Sequence, residues 1–480
     1  RNTLGLQGMV NLETDSHYPR FHLTAESGSL NDPCGFVWQD GEYHLFYQSS
    51  ASWAHVASPD LINWRHLPVA LRPTPGTSDE GGCWSGSVGI VGGRPTILYT
   101  GVDVPSVDQP RVWRQVVCLA TGSDDLTFWS KHRDNPLIDH PPGTPDFRDP
   151  CFWKKDNEWY MLVGAGIEDE GATALLYRSS DFVRWEYLHP FCTDHPDATN
   201  RCWECPDFFA LGNRHVLLTS RLSPLLSYAS RDSTRVMMST FYDSGSYKED
   251  RFTRETSGNL DVGGHFYAAK TGLDNNGRRL LFGWVWEGRT EKSSEKHGWS
   301  GVISLPRVIT LANDGTMRYA PPEELQLIRG NHMEITNVTL SDQVFPLDMV
   351  NGDCLELIAD FKPGSAEKFG LSMRRSPGGE EESLLVYRPS QATLTMERHR
   401  SSLDPDQFTY PRGGQLILED QQNLRLQIFL DRSVIEVFAN GKLCLTSRIY
   451  PTRKDSLGIA AFAHGGTAIL DRMDAWRLVD

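Results

Sequence analysis

A seven-residue pattern, Ser-x-Asp-[Leu/Phe]-x-x-Trp, occurs three times in the first half of the chain and limits the possible folds more than any other feature. The copies begin at Ser58, Ser123 and Ser179. Each follows an apolar run typical of a strand, such as residues 115–120. Ser and Asp side chains satisfy the backbone groups of turns, and the Trp then returns to a packed layer. The pattern therefore predicts a turn between two strands in each of three repeated units, with the Trp as a core anchor.

The repeat length of roughly 60 residues, without helical apolar spacing, favours the four-stranded blade of a β-propeller. Residues 20–330 then hold five blades, although the last two lack the clean pattern and the count depends on length. After residue 335 the chain changes to short strands, with polar and apolar residues alternating in 424–430 and a hairpin turn at Asn440-Gly441. We therefore predict an all-β protein, with a five-bladed propeller and N-terminal extension over 1–335 and a β-sandwich over 336–480.

The charge balance argues against polyanionic partners. The chain has 47 Lys and Arg against 62 Asp and Glu, a formal net charge of −15. Nucleic acid and anionic membranes attract excess positive charge, so we expect neither as a partner. No apolar run approaches the ~18 residues of a membrane span, and Arg1 does not open a secretory pattern, so we expect a soluble chain that has been processed or trimmed. The compartment and the oligomeric state stay open.

Cysteine and histidine spacing gives no sign of a metal or a cofactor. The nine Cys and fifteen His residues form no paired metal-ligand pattern. No phosphate loop or dinucleotide fingerprint is present either. We therefore expect no metal, no cofactor and mostly free thiols.

Three acids, Asp32, Asp149 and Glu204, each precede a proline immediately or by one residue and fall in different blades by the repeat spacing. Proline suits a strand edge or a rigid turn, so the acids are expected at blade rims. The first strands of propeller blades surround a shared central funnel. Paired carboxylates are the usual equipment of glycoside cleavage, one as nucleophile and one as acid. The trio therefore predicts a glycosidase site.

The sequence neighbours of these acids suggest their charge states. Asn31 could keep Asp32 ionised through its amide, and Arg148 could do the same for Asp149. The flanking aromatics Trp203 and Phe208 make Glu204 the acid expected to keep its proton.

These motifs resemble those of glycoside hydrolase family 32, the group of invertases, inulinases, levanases and fructosyltransferases. The resemblance covers nearly the whole chain and rests on six elements in the family's order. They are the NDPNG-like stretch 31–35, the strand 43–48 ending in Gln, the Trp-Ser-Gly-Ser element 84–87, the Arg-Asp-Pro stretch 148–150, the Glu-Cys pair 204–205 and the sandwich signature 432–438.

The resemblance implies a retaining β-fructofuranosidase that releases terminal non-reducing fructosyl groups from sucrose, fructo-oligosaccharides or fructans. Asp32 would be the nucleophile and Glu204 the acid/base. Asp149 would accept hydrogen bonds from sugar hydroxyls. The residues that would line the pocket are Asn31, Gln48, Trp53, Trp84, Ser85, Arg148, Asp261 and Trp299. Asp261 matches an acid of sucrose-preferring plant members, although Gly264 stands where their accompanying Lys would be.

Two departures from the family pattern should open the rim of the pocket. Ser29 stands where many members have Trp, and four residues separate Gln48 from Trp53 where many members have a longer loop. A fructosyltransferase would use the same catalytic residues, so hydrolysis and transfer stay open as alternatives. A catalytically silent, carbohydrate-binding propeller is the alternative from another class of protein.

Overall fold

The computed structural model describes residues 12–103, 113–194, 196–222 and 239–479. Within that part of the chain the structure is almost entirely β, with one α-helix, Glu291–His297. Short 3-10 helices occupy Leu12–Thr14, Glu323–Ile328 and Pro389–Gln391, and the two-residue strands Gly28–Ser29 and Trp299–Ser300 pair in parallel. No helix among the described residues is both long and apolar enough to span a membrane.

Five antiparallel sheets form the blades of a propeller, which confirms the predicted fold class. Blade V, which lacks the repeated pattern, carries a short extra strand beside its second strand. The ring closes where Phe36 of blade I packs against Phe282 of blade V, with ring centroids 5.0 Å apart. In blade order the strands are Pro33–Gln39, Glu42–Ser49, Ser52–Ser58 and Arg65–Leu71 (I); Gly82–Val91, Arg94–Val102, Gln115–Gly122 and Trp129–Lys131 (II); Asp146–Lys155, Glu158–Ile167, Gly171–Ser179 and Glu186–Pro190 (III); Cys202–Leu211, Arg214–Leu222, Ser239–Lys248 and Arg251–Asn259 (IV); Phe266–Leu273, Arg279–Val285, Val302–Ile303, Arg307–Leu311 and Met317–Ala320 (V).

The repeated pattern forms the predicted turn between the third and fourth strands of blades I to III. In the first copy, the Asp60 carboxylate accepts hydrogen bonds from the backbone N–H groups of Ile62 and Asn63. The indole N–H of Trp64 donates to the carbonyl of Leu61, at 3.1 Å. Leu61 has a left-handed backbone, with φ of 68°, and the equivalent residues of the other copies share it. Each Trp packs, half-buried, against a hydrophobic core cluster, so the prediction of a turn with an aromatic anchor is confirmed.

The first strand of every blade contains an irregularity in its pairing with the second strand. Such bulges redirect side chains and are common beside active sites. In blades III, IV and V the irregularity includes a residue with a left-handed backbone, namely Asp149, Cys205 and Ala268, with φ of 63°, 47° and 55°. The five register shifts lie at 33–35, 84–86, 148–151, 204–207 and 267–270. A pairing irregularity therefore recurs in all five blades around the propeller axis, and blades III to V share its left-handed residue.

The β-sandwich is one continuous ten-stranded sheet folded around its own apolar core. Two long strands, Arg329–Asn351 and Gly458–Leu478, pair antiparallel, and Arg329 lies opposite Leu478 at the first pair. The expected domain boundary at 335/336 falls inside the first of these strands. Nothing in the alternating sequence of this strand marks residue 329 as its start. The predicted hairpin at Asn440-Gly441 is present. The remaining strands are Cys354–Lys362, Lys368–Arg375, Glu382–Arg388, Thr393–Arg400, Arg412–Gln415, Leu424–Asp431, Val434–Ala439 and Leu443–Arg448.

Buried charges join the propeller to the sandwich. The guanidinium of Arg307, in blade V, donates to Asp261 and to Glu436 of the sandwich, each at 2.9 Å. His22, in the N-terminal segment, lies 2.8 Å from both Asp431 and Glu436. Burial lowers the pKa of His22, but the hydrogen bonds that its ring donates to these two carboxylates outweigh it and raise the pKa to about 9. His22 is therefore a cation in this network at neutral pH.

Candidate active site

The three predicted acids, from blades I, III and IV, converge at the start of the innermost strands. The Cys205 thiol lies 3.5 Å from an oxygen of Asp32 and 3.5 Å from an oxygen of Asp149, so these two oxygens are separated by no more than twice that distance. Nε of Arg148 lies 3.2 Å from Glu204 and 4.0 Å from Asp149. Residues far apart in the sequence therefore share one small polar site.

Asp32 immediately precedes the first strand of blade I, and its carboxylate is held through one oxygen. Oδ2 accepts hydrogen bonds from the Ser85 hydroxyl, at 2.8 Å, and from the Cys205 thiol. Burial raises the pKa of Asp32 to about 7, with the negative charges of Asp149 and Glu204 adding to the effect. The hydrogen bonds from Ser85 and Cys205 favour the ionised form of Asp32, but burial and the two like charges outweigh them.

Asp149 is fixed by the bulge of blade III. Its backbone N–H donates to the Thr100 hydroxyl at 2.8 Å, and its carboxylate accepts from the backbone N–H of Cys205 at 2.8 Å. Burial raises the pKa of Asp149, and Glu204 adds to this, whereas Arg148 opposes it. Arg148 thus favours the ionised form of Asp149, as expected, but burial outweighs this effect. Arg148 lies closer to Glu204, with Nη2 at 2.8 Å from Oε1.

Glu204 is oriented by polar partners on both of its oxygens. Arg148 donates to Oε1, and the hydroxyl of Tyr267, in blade V, makes a short hydrogen bond to Oε2. Arg148 is itself held by Asp146, at 2.6 Å. The aromatic neighbour expected to surround Glu204, Trp203, is 2% exposed and packs in an apolar cluster with residues of blade III. Sequence adjacency therefore misassigned the surroundings of this acid.

Phe208, the second aromatic residue expected beside Glu204, belongs to the same apolar cluster, where its ring centroid is 4.8 Å from that of Phe191. It too contributes to blade packing.

Blade I contributes two further predicted residues beside Asp32. The backbone of Gln48 accepts from the N–H of Asn31 and donates to the carbonyl of Asp32. The Gln48 side chain donates to the Cys83 carbonyl at 2.9 Å. Asn31 is half-buried, so a ligand could contact its side chain. Both residues therefore lie next to Asp32, as expected.

Two of the three predicted pocket tryptophans, Trp53 and Trp84, differ in exposure. Trp53 is fully buried, and its indole N–H donates to the backbone carbonyl of Trp84 at 2.9 Å. Trp84 is half-buried and lies 5.9 Å, between ring centroids, from the more exposed Trp113. Trp53 therefore supports the strand that carries Ser85, and Trp84 offers an accessible aromatic surface.

Asp261 and Trp299 lie outside this site, contrary to prediction. The Asp261 carboxylate is bound by Arg307 and by Thr446 of the sandwich, both buried. The Trp299 indole donates to Asp15 of the N-terminal segment and packs with Val434 of the sandwich. Both residues therefore contribute to the contact between propeller and sandwich.

Blade V supplies site residues that sequence reasoning missed. Tyr267 contacts Glu204 directly. Trp284 and Trp286 pack with Cys205 and Tyr267, and their buried indole N–H groups have no hydrogen-bond partner among the described residues. An available signal was the position of Tyr267 near the start of the first strand of its blade, where blade IV carries Glu204. Unsatisfied buried donors beside the acids are suited to ligand hydroxyls.

The site can perform acid/base and nucleophilic chemistry on a glycoside, since three carboxylates meet there with an arginine and a tyrosine. A five-bladed propeller with this arrangement is a glycosidase. The family models "Glycosyl hydrolases family 32 N-terminal domain" and "Glycosyl hydrolases family 32 C terminal" match residues 22–321 and 324–477. The chain belongs to glycosyl hydrolase family 32.

Similar proteins agree with this assignment. A sucrose-6-phosphate hydrolase of Zymomonas mobilis is 36% identical, over 96% of this chain and 92% of that protein. A levanase of Bacillus subtilis is 32% identical, over 94% of this chain and 69% of the levanase. The crystal structure of fructan 1-exohydrolase IIa from Cichorium intybus superposes with a TM-score of 0.86 and 27% identity, over 97% of this chain and 98% of that chain.

Proposed function

We propose that the chain is a retaining β-fructofuranosidase that removes terminal fructosyl groups, with Asp32 as nucleophile and Glu204 as acid/base. The observation that carries the proposal is the meeting of Asp32, Asp149 and Glu204 around the Cys205 thiol and the Arg148 guanidinium. The family relatives, named for hydrolysis of sucrose 6-phosphate, raffinose, levan and fructan, support a fructoside substrate.

In the first step, an oxygen of Asp32 attacks the anomeric carbon, C2, of the fructosyl group. Because Oδ2 is held by Ser85 and Cys205, we assign the attack to Oδ1. The C2–oxygen bond to the leaving group breaks as Glu204 gives its proton to the departing oxygen. The products of this step are a fructosyl ester on Asp32, the released alcohol and an ionised Glu204.

In the second step, Glu204 removes a proton from water, and the water oxygen bonds to C2 as the ester bond to Asp32 breaks. Arg148 holds Oε1 of Glu204, so we assign proton transfer to Oε2, beside the Tyr267 hydroxyl. The carboxylate of Asp149 is held by a hydrogen bond from the backbone N–H of Cys205. It accepts hydrogen bonds from hydroxyls of the furanose ring. Fructose leaves with the same anomeric configuration at C2 as the fructosyl group of the substrate.

Incubation of the chain with sucrose, a β-2,1 fructan, a β-2,6 fructan and sucrose 6-phosphate should release a free terminal fructosyl unit from at least one of them. Chromatography of the products over time measures both the substrate preference and the acceptor. Free fructose as the main product supports hydrolysis. Longer oligosaccharides in excess over fructose would replace the proposal with a fructosyltransferase, and saturable fructan binding without any product would replace it with a silent binding protein.

Ser85→Ala should move the acidic limb of the kcat/KM profile toward higher pH by about one unit. Asp32 attacks only when ionised, so activity is lost as pH falls below its pKa, and the Ser85 hydrogen bond lowers that pKa. The measurement is kcat/KM for sucrose, or for a better substrate, across pH. Ser87→Ala is the matched control on the same strand, since its hydroxyl donates to the Pro150 carbonyl instead. An unshifted limb in Ser85→Ala would contradict the assigned role of Asp32.

A further inference from the structure

A second cluster of titratable side chains lies outside the candidate active site, where the N-terminal segment meets the helix Glu291–His297. Asp15, His17 and His297 each offer one ligand atom, and these atoms all lie within 4.8 Å of one another. The first two residues are far from the third in the sequence, so no metal-ligand spacing is visible there. The catalytic proposal uses none of the three.

His17 has an acceptor atom without a donor. Its Nε2 lies 2.9 Å from the backbone carbonyl of Pro451, which can only accept, so Nε2 carries the proton. Nδ1 therefore has a free lone pair, and it is buried with no hydrogen-bond partner among the described residues. Oδ1 of Asp15, also an acceptor, lies 3.9 Å away. Two acceptors that face each other at this distance are suited to a cation between them.

Neighbouring groups fix the orientation of both side chains. Oδ2 of Asp15 accepts from the Trp299 indole at 2.8 Å, and Oδ1 accepts from the backbone N–H of His17 at 2.9 Å. A carbonyl that fixes the second nitrogen of a histidine is also the usual support of a metal-binding imidazole.

His297 can complete the donor set by a change of tautomer. Its Nδ1 now lies 2.8 Å from Oδ2 of Asp15, and its side chain is 28% exposed. Moving the proton to Nε2, toward solvent, frees the lone pair of Nδ1 for a metal. Arg289 is a nearby cation that would repel an ion, but its charge is offset by Glu287, at 3.0 Å.

We propose that Asp15, His17 and His297 form a binding site for a divalent transition-metal ion of the zinc type. Two imidazoles and one carboxylate match the ligand preferences of such ions, with water in the fourth position. Ligand atoms around a tetrahedral ion lie roughly 3.3 Å apart, so atoms of this cluster that now lie up to 4.8 Å apart have to move closer on binding.

The metal ion would cross-link the N-terminal segment to the propeller. That segment continues to Gly28–Ser29, which pairs with Trp299–Ser300 directly after the helix that carries His297. Asp32 follows three residues later. A metal at this point therefore links two chain segments that approach the active site from opposite ends of the propeller sequence.

Titration of the untagged chain with Co²⁺, after treatment with a chelator, tests the proposal by calorimetry and by visible absorption. We expect one saturable site per chain, with the intense absorption of a tetrahedral Co²⁺ ion and a higher melting temperature. His17→Gln and His297→Gln should each weaken Co²⁺ binding at least tenfold. His297→Gln is the safer variant for folding, since its side chain is the more exposed.

His332→Gln is the matched control, because His332 makes a similar 2.8 Å contact with Asp474 on the exposed surface of the sandwich. This variant should bind Co²⁺ like the unmodified chain. The absence of saturable binding, or equal binding in all variants, would overturn the proposal. Sugar release is not a readout, so the result is independent of the proposed hydrolytic function.

Discussion

Asp32→Asn will lower kcat for release of fructose by at least about 10⁴-fold, and Glu204→Gln will lower it by about 10²–10⁴-fold for a natural sugar leaving group. The first change replaces the nucleophilic carboxylate with a neutral amide, so neither step can proceed by the proposed route. The second removes the proton donor, while the amide can still accept from Arg148 and keep its position. Initial rates of fructose release measure both effects.

The choice of leaving group separates the two roles. A nitrophenyl leaving group needs little protonation, so Glu204→Gln should retain much more activity on a nitrophenyl fructoside than on sucrose, whereas Asp32→Asn should be inactive on both. Asp250→Asn is the control, because Asp250 pairs with Lys155 on the outer part of the propeller. Equal losses on both substrates in Glu204→Gln would contradict its assignment as the acid.

Arg307→Met will lower the free energy of unfolding by about 3–5 kcal/mol. Arg307 is 1% exposed and is the countercharge for both Asp261 and Glu436, so its removal leaves buried carboxylates unpaired. Urea unfolding followed by tryptophan fluorescence measures the loss. The expected size is large because a buried charge without its partner keeps the full cost of desolvation.

Arg425→Met is the surface counterpart, since the Arg425 side chain is 55% exposed and pairs with Asp360 within the sandwich. This change should cost at most about 1 kcal/mol. Adding Glu436→Gln to Arg307→Met should recover part of the loss, because one unpaired charge is removed. Similar losses in the two arginine variants would show that the contact between propeller and sandwich does not depend on this network.

Local patterns in the sequence were sufficient for part of the architecture. The three copies of the turn motif predicted blades I to III because each copy satisfies its own backbone and anchors its own Trp. The hairpin at Asn440-Gly441 was predictable for the same reason. Blades IV and V lack the motif, so the count of five depended on chain length. Residue 329 was not recognisable as the start of the sandwich, because the long strand Arg329–Asn351 is specified by its distant partner Gly458–Leu478.

Residues of the candidate site were predicted where a sequence motif fixes their backbone. They were missed where only the folding of the chain brings them to the site. The acid–proline motifs led to Asp32, Asp149 and Glu204. Tyr267 belongs to a blade without such a motif, so its contact with Glu204 was not visible. Asp261 was assigned to the pocket by resemblance, whereas its partner Arg307 directs it to the sandwich. The environment of Asp32 was also misjudged, because burial and the charges of residues 149 and 204 depend on the folded chain.

The bulge repeated in the innermost strand of every blade has a consequence for engineering. A side chain at these positions takes its direction from main-chain geometry, as at Asp149 and Cys205, whose left-handed backbones lie in hydrogen-bonded sheets. Blade V carries Tyr267 at the register position where blade IV carries Glu204 and blade III carries Arg148, so the scaffold accepts different chemical groups at equivalent places. Five such positions around one axis make this propeller a template on which a designer could install reactive groups one blade at a time.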